Sequence, residues 1–377
     1  MTNITENSDH ELKTKSPDSI SIFGTKTMDL KYGENGWQTP SAVYLTPNSE
    51  KDPLSFANFK FHIGNPGYVN VTDVNRLLQT ITHIAAGFDL NFKNVPLIAV
   101  GAKHGNPCGA AYFYGDGPNS EKFVLQNMLA GDPISIFGGA VIVNFEINKE
   151  LAEILITDNE GNFRPLDIII AGSVTDEALE ILKRKNDRCW VMTNFALGKL
   201  TKDSLDKNPI TSYIRGGFIL QPNYTHILDL YDVSIKHHGH ANYHDRTLNL
   251  HNPEMLLAWA VCATSNSNTI TIAKKVTFGG MIVANAAGRQ DRVGVADLAM
   301  AIMKRAGHST KDTVAYSDSF FPFPDGPKVL IDAGVKHVFA TSGSKNDNEV
   351  IKVFQDNDSC RLDLAPDAKF RAFYGHH

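Results

Sequence analysis

Short aliphatic runs, each punctuated by glycine or proline, constrain the fold of this chain more tightly than any other feature. Val95-Pro96-Leu97-Ile98-Ala99-Val100 is followed at once by Gly101. Its length and unbroken apolar character predict a strand covered on both faces of a parallel sheet. The stretch DPISIFGGAVIVNFEI (132–147) reads as a glycine-containing loop entering another strand, and LDIIIAGS (166–173) as a third. That third strand feeds a well-marked helix. Thr175 caps it, Asp176 and Glu177 suit its positive end, Ala178, Leu179 and Leu182 line one face, and Lys183, Arg184 and Lys185 suit its C-terminus. Strand followed by helix, repeated, predicts an α/β fold.

The same pattern returns after a polar, turn-rich stretch from about Leu200 to Arg246. A helix is predicted near Glu254 to Ala263, strands at 269–273, 280–286 and 335–340, and a helix from Ala296 to Ala306, beside an earlier one from Thr72 to about Ala86. Two lobes, 26–199 and 200–377, are therefore expected, behind a polar, disordered tail over 1–25 that lacks the apolar core of a signal peptide. A formal net charge of −5 with no Lys/Arg-rich block excludes nucleic-acid backbones and anionic membranes as partners. No run is long and apolar enough to span a bilayer. Cys108, Cys189, Cys262 and Cys360 lie too far apart in sequence for a C-x-x-C pair, which predicts reduced thiols and a cytoplasmic setting.

The segment after the first aliphatic run, GAKHGNPCGAA (101–111), carries the sharpest chemistry. Lys103 and His104 would sit just past a strand's carboxyl end, where ligands of open α/β sheets bind. A cation that holds developing negative charge and an imidazole that moves a proton are the two needs of acyl transfer to an amine. Pro107 and the glycines on either side predict a tight, exposed loop. Cys108 brushes against the zinc-deaminase signature, but no second cysteine follows three residues on, so catalytic zinc and any other catalytic metal are not expected.

Other motifs leave alternatives open. His237, His238, His240 and His244 in KHHGHANYHDR (236–246) read as a solvated loop bordering a site, with metal binding as the competing reading. In SDSFFPFPDGP (317–327), Phe320, Phe321 and Phe323 among prolines form either a plug at a core edge or an apolar wall beside Asp318, and the prolines argue against helix and central strand. Glycine-rich phosphate loops are absent, so separate basic side chains would have to hold any phosphate.

Taken together, K-Y-G-E-N (31–35), P-G-Y-V-N (66–70), K-H-G-N-P-C-G-A-A (103–111), D-P-I-S-I-F-G-G (132–139), D-E-A-L-E-I-L-K-R-K-N-D-R (176–188), S-N-T-I-T-I-A-K (267–274), G-R-Q-D-R (288–292), S-D-S-F-F-P-F (317–323) and R-A-F (371–373) resemble, in order, one family. It is the transformylase domain of the bifunctional purine-biosynthesis enzyme that formylates 5-aminoimidazole-4-carboxamide ribonucleotide (AICAR) and cyclises the product to IMP. The resemblance runs from about Lys31 to His377.

The resemblance implies two cytidine-deaminase-like α/β lobes, each a mixed sheet flanked by helices, without zinc. It implies an obligate homodimer with active sites at the interface, 10-formyltetrahydrofolate as co-substrate and, in some relatives, a potassium ion. Carried across by position, Lys103 and His104 are the catalytic pair, completed by Asn268 and Asp318. Lys31 and Arg371 become phosphate contacts, and Tyr32, Asn70, Gly138, Asp167, Arg292 and Phe373 line the nucleotide pocket. Phe320, Phe321 and Phe323 would border the folate side. His104 would take the proton of the attacking amine, while Lys103 steadies the oxyanion or protonates the departing folate nitrogen.

Departures from the family pattern cluster around the substrate. No cyclohydrolase domain is recognised, so IMP formation is not expected. Gly36-Trp37 stands where many members have Pro-His, Ala260, Ala263 and Asn266 stand where basic residues are common, and the chain ends F-Y-G-H-H, with no role assigned to His376 and His377. These leave two alternatives: a paralogue formylating another amino-imidazole or amine, and a non-catalytic nucleotide- or folate-binding protein. Retention of Lys103, His104 and Asp318 together argues for the enzyme.

Overall fold

Alternate residues along the aliphatic runs face two different hydrophobic cores. Ile98 and Val100 belong to one and Ala99 to the other; Ile168 and Ile170 part from Ile169 in the same way. Each run is therefore covered on both sides, which is why no polar residue interrupts it.

The computed structural model describes residues 16–115, 117–158, 160–183, 188–239, 252–357 and 359–374. The first half opens with a ribbon of β1 (Thr25–Leu30) and β2 (Ser41–Leu45), then β3 (Lys60–Ile63) and helix α1 (Tyr68–Phe92). Strands β4 (Leu97–Lys103) and β5 (Asn106–Phe113) form a hairpin. After it come α2 (Ser120–Gly131), β6 (Ala140–Val143), the short β7 (Glu146–Ile147), α3 (Lys149–Ile156), β8 (Ile168–Ala171), the short β9 (Ser173–Val174), α4 (Asp176–Leu182) and β10 (Trp190–Thr193). The connector carries a ribbon of β11 (Ile210–Ile214) and β12 (Gly217–Gln221), then β13 (Lys236–His238). The second half holds α5 (Asn252–Ala263), β14 (Ile270–Val276), β15 (Gly279–Ala286), α6 (Arg292–Arg305), β16 (Thr313–Ser317), α7 (Asp325–Asp332), β17 (His337–Ser342), α8 (Asp347–Gln355) and β18 (Arg361–Pro366).

One 12-stranded sheet, ordered β13-β18-β17-β16-β14-β15-β5-β4-β6-β8-β10-β3, runs through both halves. Its two sides repeat a single topology. In each, a helix leads into an antiparallel hairpin, a second helix crosses over to a strand antiparallel to the hairpin's first strand, and two further strands join in parallel. Helices α1 and α5 cover one face, and α2, α3, α4, α6, α7 and α8 the other. The halves meet where β15 pairs antiparallel with β5.

Several sequence expectations are corrected. The strand read at 95–100 is β4, which pairs antiparallel with both of its neighbours; the parallel ladders are β6-β8-β10 and β16-β17-β18. The segment after Gly105 is strand β5 rather than an exposed loop. Pro107 is buried where the register of the β4–β5 pair shifts, a place a ladder tolerates the missing N–H. Gly109 answers a packing demand, since a Cβ there would lie 2.4 Å from the Met128 carbonyl oxygen of α2. Lys236 to His238 form edge strand β13 against β18 rather than a loop, and His237 binds the Asp363 carboxylate at 2.7 Å. Pro327 lies within the first turn of α7, where its missing N–H is not needed. The helix expected from Thr72 starts at Tyr68 and ends at Phe92. His240, His244, His376 and His377 lie outside the described residues.

Substituting Gly109→Ala should lower the unfolding free energy by about 1–3 kcal/mol through the clash with α2. Urea titration reads this directly, and an unchanged midpoint would refute the close approach.

A candidate active site at one edge of the sheet

Lys103 ends β4 and Asn106 begins β5, so His104 and Gly105 are the two residues of the hairpin turn. Both take left-handed backbone, φ 54° and 71°, the pattern of the turn type that fits the twist of a two-residue hairpin. Left-handed backbone at a residue other than glycine costs about 1–2 kcal/mol, so a histidine held there is a reason to look for function. The turn presents the exposed His104 ring at the sheet's edge. Lys103 is half-buried, and its Nζ donates to the Phe137 carbonyl at 2.6 Å. Gly138, the next residue, comes so close that a Cβ on it would lie 3.8 Å from that Nζ.

The neighbouring strands deliver more of the expected residues to this edge. Ala102 pairs with Ala140 and Ala140 with Ile168, so β6 and β8 begin where β4 ends. Asp167 accordingly stands beside Gly138, its N–H donating to the Gly139 carbonyl at 2.9 Å. Tyr32 and Asn70 meet at the start of α1, around Gly67. Asn70 Oδ1 accepts the Gly67 N–H at 2.8 Å, while the Tyr32 ring lies 3.6 Å from where a Gly67 Cβ would be. Lys31 donates its N–H to Pro66 next to them.

The second half brings its own group to the same edge, because β14 begins opposite the end of β16 at Ile270 and Ser317. Asp318, 1% exposed, forms an ion pair with Arg292, itself 9% exposed. The other carboxylate oxygen accepts from Ser267 Oγ at 2.7 Å and from the Thr269 N–H at 3.0 Å. Arg292 also donates to Ser317 Oγ at 3.1 Å and to Asn268 Oδ1 at 3.0 Å. Asp318 is thus fully engaged as a charged brace. Through these bonds it ties Arg292 to the Ser267-Asn268 segment.

In front of this brace lies a pocket of about 520 Å³ lined by Asn268, Arg292, Phe320, Phe323, Arg371 and Phe373 among others. Arg371 pairs with Asp367 and lies 5.3 Å from the Phe373 ring centroid. Phe321 is not part of this wall, because it is 2% exposed and packs into the core. Lys31 and Arg371, the two expected phosphate contacts, belong to separate groups, one at the start of α1 and one in this pocket. Trp37, in the turn that departs from the family pattern, is 79% exposed. Among the described residues no group of three or more His, Cys, Asp or Glu side chains could hold a metal ion.

Reading by motif missed Asp73 and Arg76, which touch the turn and, through Asn266, the loop opposite it; Asn266 was noted only as a departure from the family pattern. Asp73 and Arg76 lie three apart on a helix, a spacing that places them side by side. That spacing was the only signal available.

Comparison with known proteins gives a consistent picture. A family model described as AICARFT/IMPCHase bienzyme matches residues 2–302. The bifunctional purine biosynthesis protein PurH of Anoxybacillus flavithermus is 32% identical over 337 residues, 89% of this chain and 58% of that protein. PurH proteins of Bacillus cereus and Bacillus anthracis are 30% identical over 343 residues, 91% of this chain and 59% of theirs. The chain spans less than two thirds of the length of these curated relatives.

The brace makes a sharp prediction. Asp318→Asn leaves Arg292 buried without its counter-charge and should cost about 3–5 kcal/mol of stability. Thermal unfolding would show this as a lowered midpoint, whereas an unchanged midpoint would mean that the pair does not hold the site together.

Proposed function

The chain belongs to the AICARFT/IMPCHase bienzyme family, and from that premise we propose that it transfers the formyl group of 10-formyltetrahydrofolate to the 5-amino group of AICAR. The observation that carries the reading is the shared edge: one strand turn presents Lys103 and His104 beside the half of the sheet that holds Asn268, Arg292 and Asp318 around a pocket.

The 5-amino lone pair is drawn into the imidazole ring and the carboxamide, so the amine is a poor nucleophile and needs both positioning and a base. As its nitrogen bonds to the formyl carbon, His104 accepts the amine's proton. The resulting oxyanion lies by Lys103, whose ammonium has three donors, one of them already given to the Phe137 carbonyl. Breaking the bond from the formyl carbon to the folate nitrogen, with a proton returned to that nitrogen, yields the formamide and tetrahydrofolate. Arg371 and Lys31 are suited to the nucleotide phosphate, and Phe320 and Phe323 to a flat ring of the folate.

A homodimer with sites at its interface is what the family resemblance implies for this chain. The ribbon β11–β12 supports this surface. Tyr213 is 84% exposed, with Ile214, Phe218 and Ile219 also exposed along it, and an isolated two-stranded ribbon is marginal in water unless it is covered. The repeated topology supports reading 26–199 and 200–377 as two cytidine-deaminase-like lobes. Four free thiols suit a reducing, cytoplasmic setting, and among the described residues no helix is long and apolar enough to cross a membrane. Among the described residues no cluster of acidic side chains offers a cation site, so a potassium ion bound there would be held by carbonyls and hydroxyls. A different amine acceptor is the second reading, favoured by the exposed Trp37 in the turn next to Tyr32.

Purified protein with AICAR and 10-formyltetrahydrofolate should release tetrahydrofolate, followed by absorbance, and His104→Ala should slow release by about 10²-fold or more. An inert wild type that still binds folate would overturn AICAR as acceptor. Replacing Tyr213 and Ile219 together by Asp should convert a sedimenting dimer to a monomer, and a variant that remains dimeric would place the interface elsewhere.

A further inference from the structure

The turn that carries Lys103 and His104 is tied to the opposite half through a closed path of contacts. Asp73, 6% exposed on α1, accepts the Gly105 N–H at 2.7 Å. Burial pushes its carboxyl pKa up, against the bond from Gly105 and the charges of His104 and Arg76. Arg76, one turn further along, donates to the Thr264 carbonyl and to Asn266 Oδ1 at 3.2 Å, with its guanidinium 4.6 Å from the Tyr374 ring centroid. Asn266 in turn donates its N–H to Asn106 Oδ1 at 3.0 Å. The path runs from Gly105 to Asp73, along α1 to Arg76, across to Asn266 and back to Asn106, the residue next to Gly105.

We propose that Asp73 and Arg76 are positioning residues, and that their circuit sets the register of the Lys103-His104 turn against the Asn268-Arg292-Asp318 assembly. Neither touches the reacting atoms in the mechanism above. The circuit acts on geometry, and its catalytic meaning rests on the formyl-transfer reading. The physical need is clear. His104 sits in left-handed backbone that a free turn would leave, and a catalytic pair displaced by about 1 Å can lose about 10²-fold in rate. Two hydrogen bonds on the turn's C-terminal side hold it in place: Gly105 donates its N–H to Asp73, and Asn106 Oδ1 accepts the Asn266 N–H.

Hydrogen–deuterium exchange of peptide 101–112, beside kcat and KM for AICAR, tests this in wild type, Asp73→Asn, Arg76→Gln, Arg76→Lys and the Asp73→Asn/Arg76→Gln double variant. Arg76 touches neither Gly105 nor Asn106, yet Arg76→Gln should speed exchange in 101–112 by about 10-fold, with Arg76→Lys recovering part of the protection. The kcat should fall by about 10-fold or more, with KM little changed. The double variant should be no worse than the worse single one, because one break opens the whole circuit. Exchange in 101–112 at the wild-type rate in Arg76→Gln, or losses that add in the double variant, would overturn the proposal. An inert wild type would sink formyl transfer from AICAR, while the exchange measurement would still decide the circuit. Should Asp73→Asn fail to fold, the two Arg76 variants carry the test.

Discussion

The pairing of β15 with β5 is the contact on which the rest depends. It joins two repeats of one topology into a continuous sheet, and because the pair is antiparallel it turns the repeats in opposite directions. The β4–β5 turn of the first half thereby arrives at the same edge as the start of β14 and the end of β16 in the second. The seam requires glycine: a Cβ at Gly279 would lie 2.2 Å from the Tyr112 carbonyl oxygen. Near its far end Asn285 fastens both halves at once, donating to the Pro107 carbonyl at 2.7 Å and to Ser265 Oγ at 2.9 Å.

Along that edge the two halves contribute different kinds of group. The second half provides a desolvated ion pair, Arg292 with Asp318, braced by further hydrogen bonds to Ser267, Asn268, Thr269 and Ser317. Removing one member of such a pair exposes the other to the full cost of burial. The first half provides a half-buried cation and an exposed imidazole at a turn tied to α1 through Gly105 and Asp73. That division suits the proposed reaction, in which a nucleotide is fixed and a formyl group is passed to it. The α1 helix, packed on one face of both halves, bonds to the β4–β5 turn through Asp73 and to Asn266 of the second half through Arg76.

Much of this was legible in the sequence. The stretches at 95–100, 132–147 and 166–173 each hold a strand because apolar residues facing both ways need cover on both faces, and the Thr175 cap marks α4 as expected, accepting the Ala178 N–H. Motif order placed Lys103, His104, Asn268, Asp318, Arg292 and Arg371, and all of them reach one edge. What failed were readings that needed partners. Pro107 and Gly109 look like loop residues in sequence, yet they lie in a strand whose bulge and close helix neighbour explain them. Phe320, Phe321 and Phe323 look alike in sequence, and only packing separates the buried Phe321 from its neighbours.

Local chemistry alone settled the α/β class and the sites of most elements, because periodicity, capping and turn residues act over a few positions, and it singled out Lys103, His104, Asp318 and the phenylalanines after it; the other candidates came from the family resemblance. Whether a strand runs parallel or antiparallel to its neighbours was decided only in three dimensions, as was the engagement of Asp318 in a buried ion pair with Arg292. The same holds for Asp73 and Arg76, whose partners at Gly105 and Asn266 lie 32 and 190 residues away along the chain. Such contacts depend on which strands pair across the seam, and no local pattern in a single sequence encodes that choice.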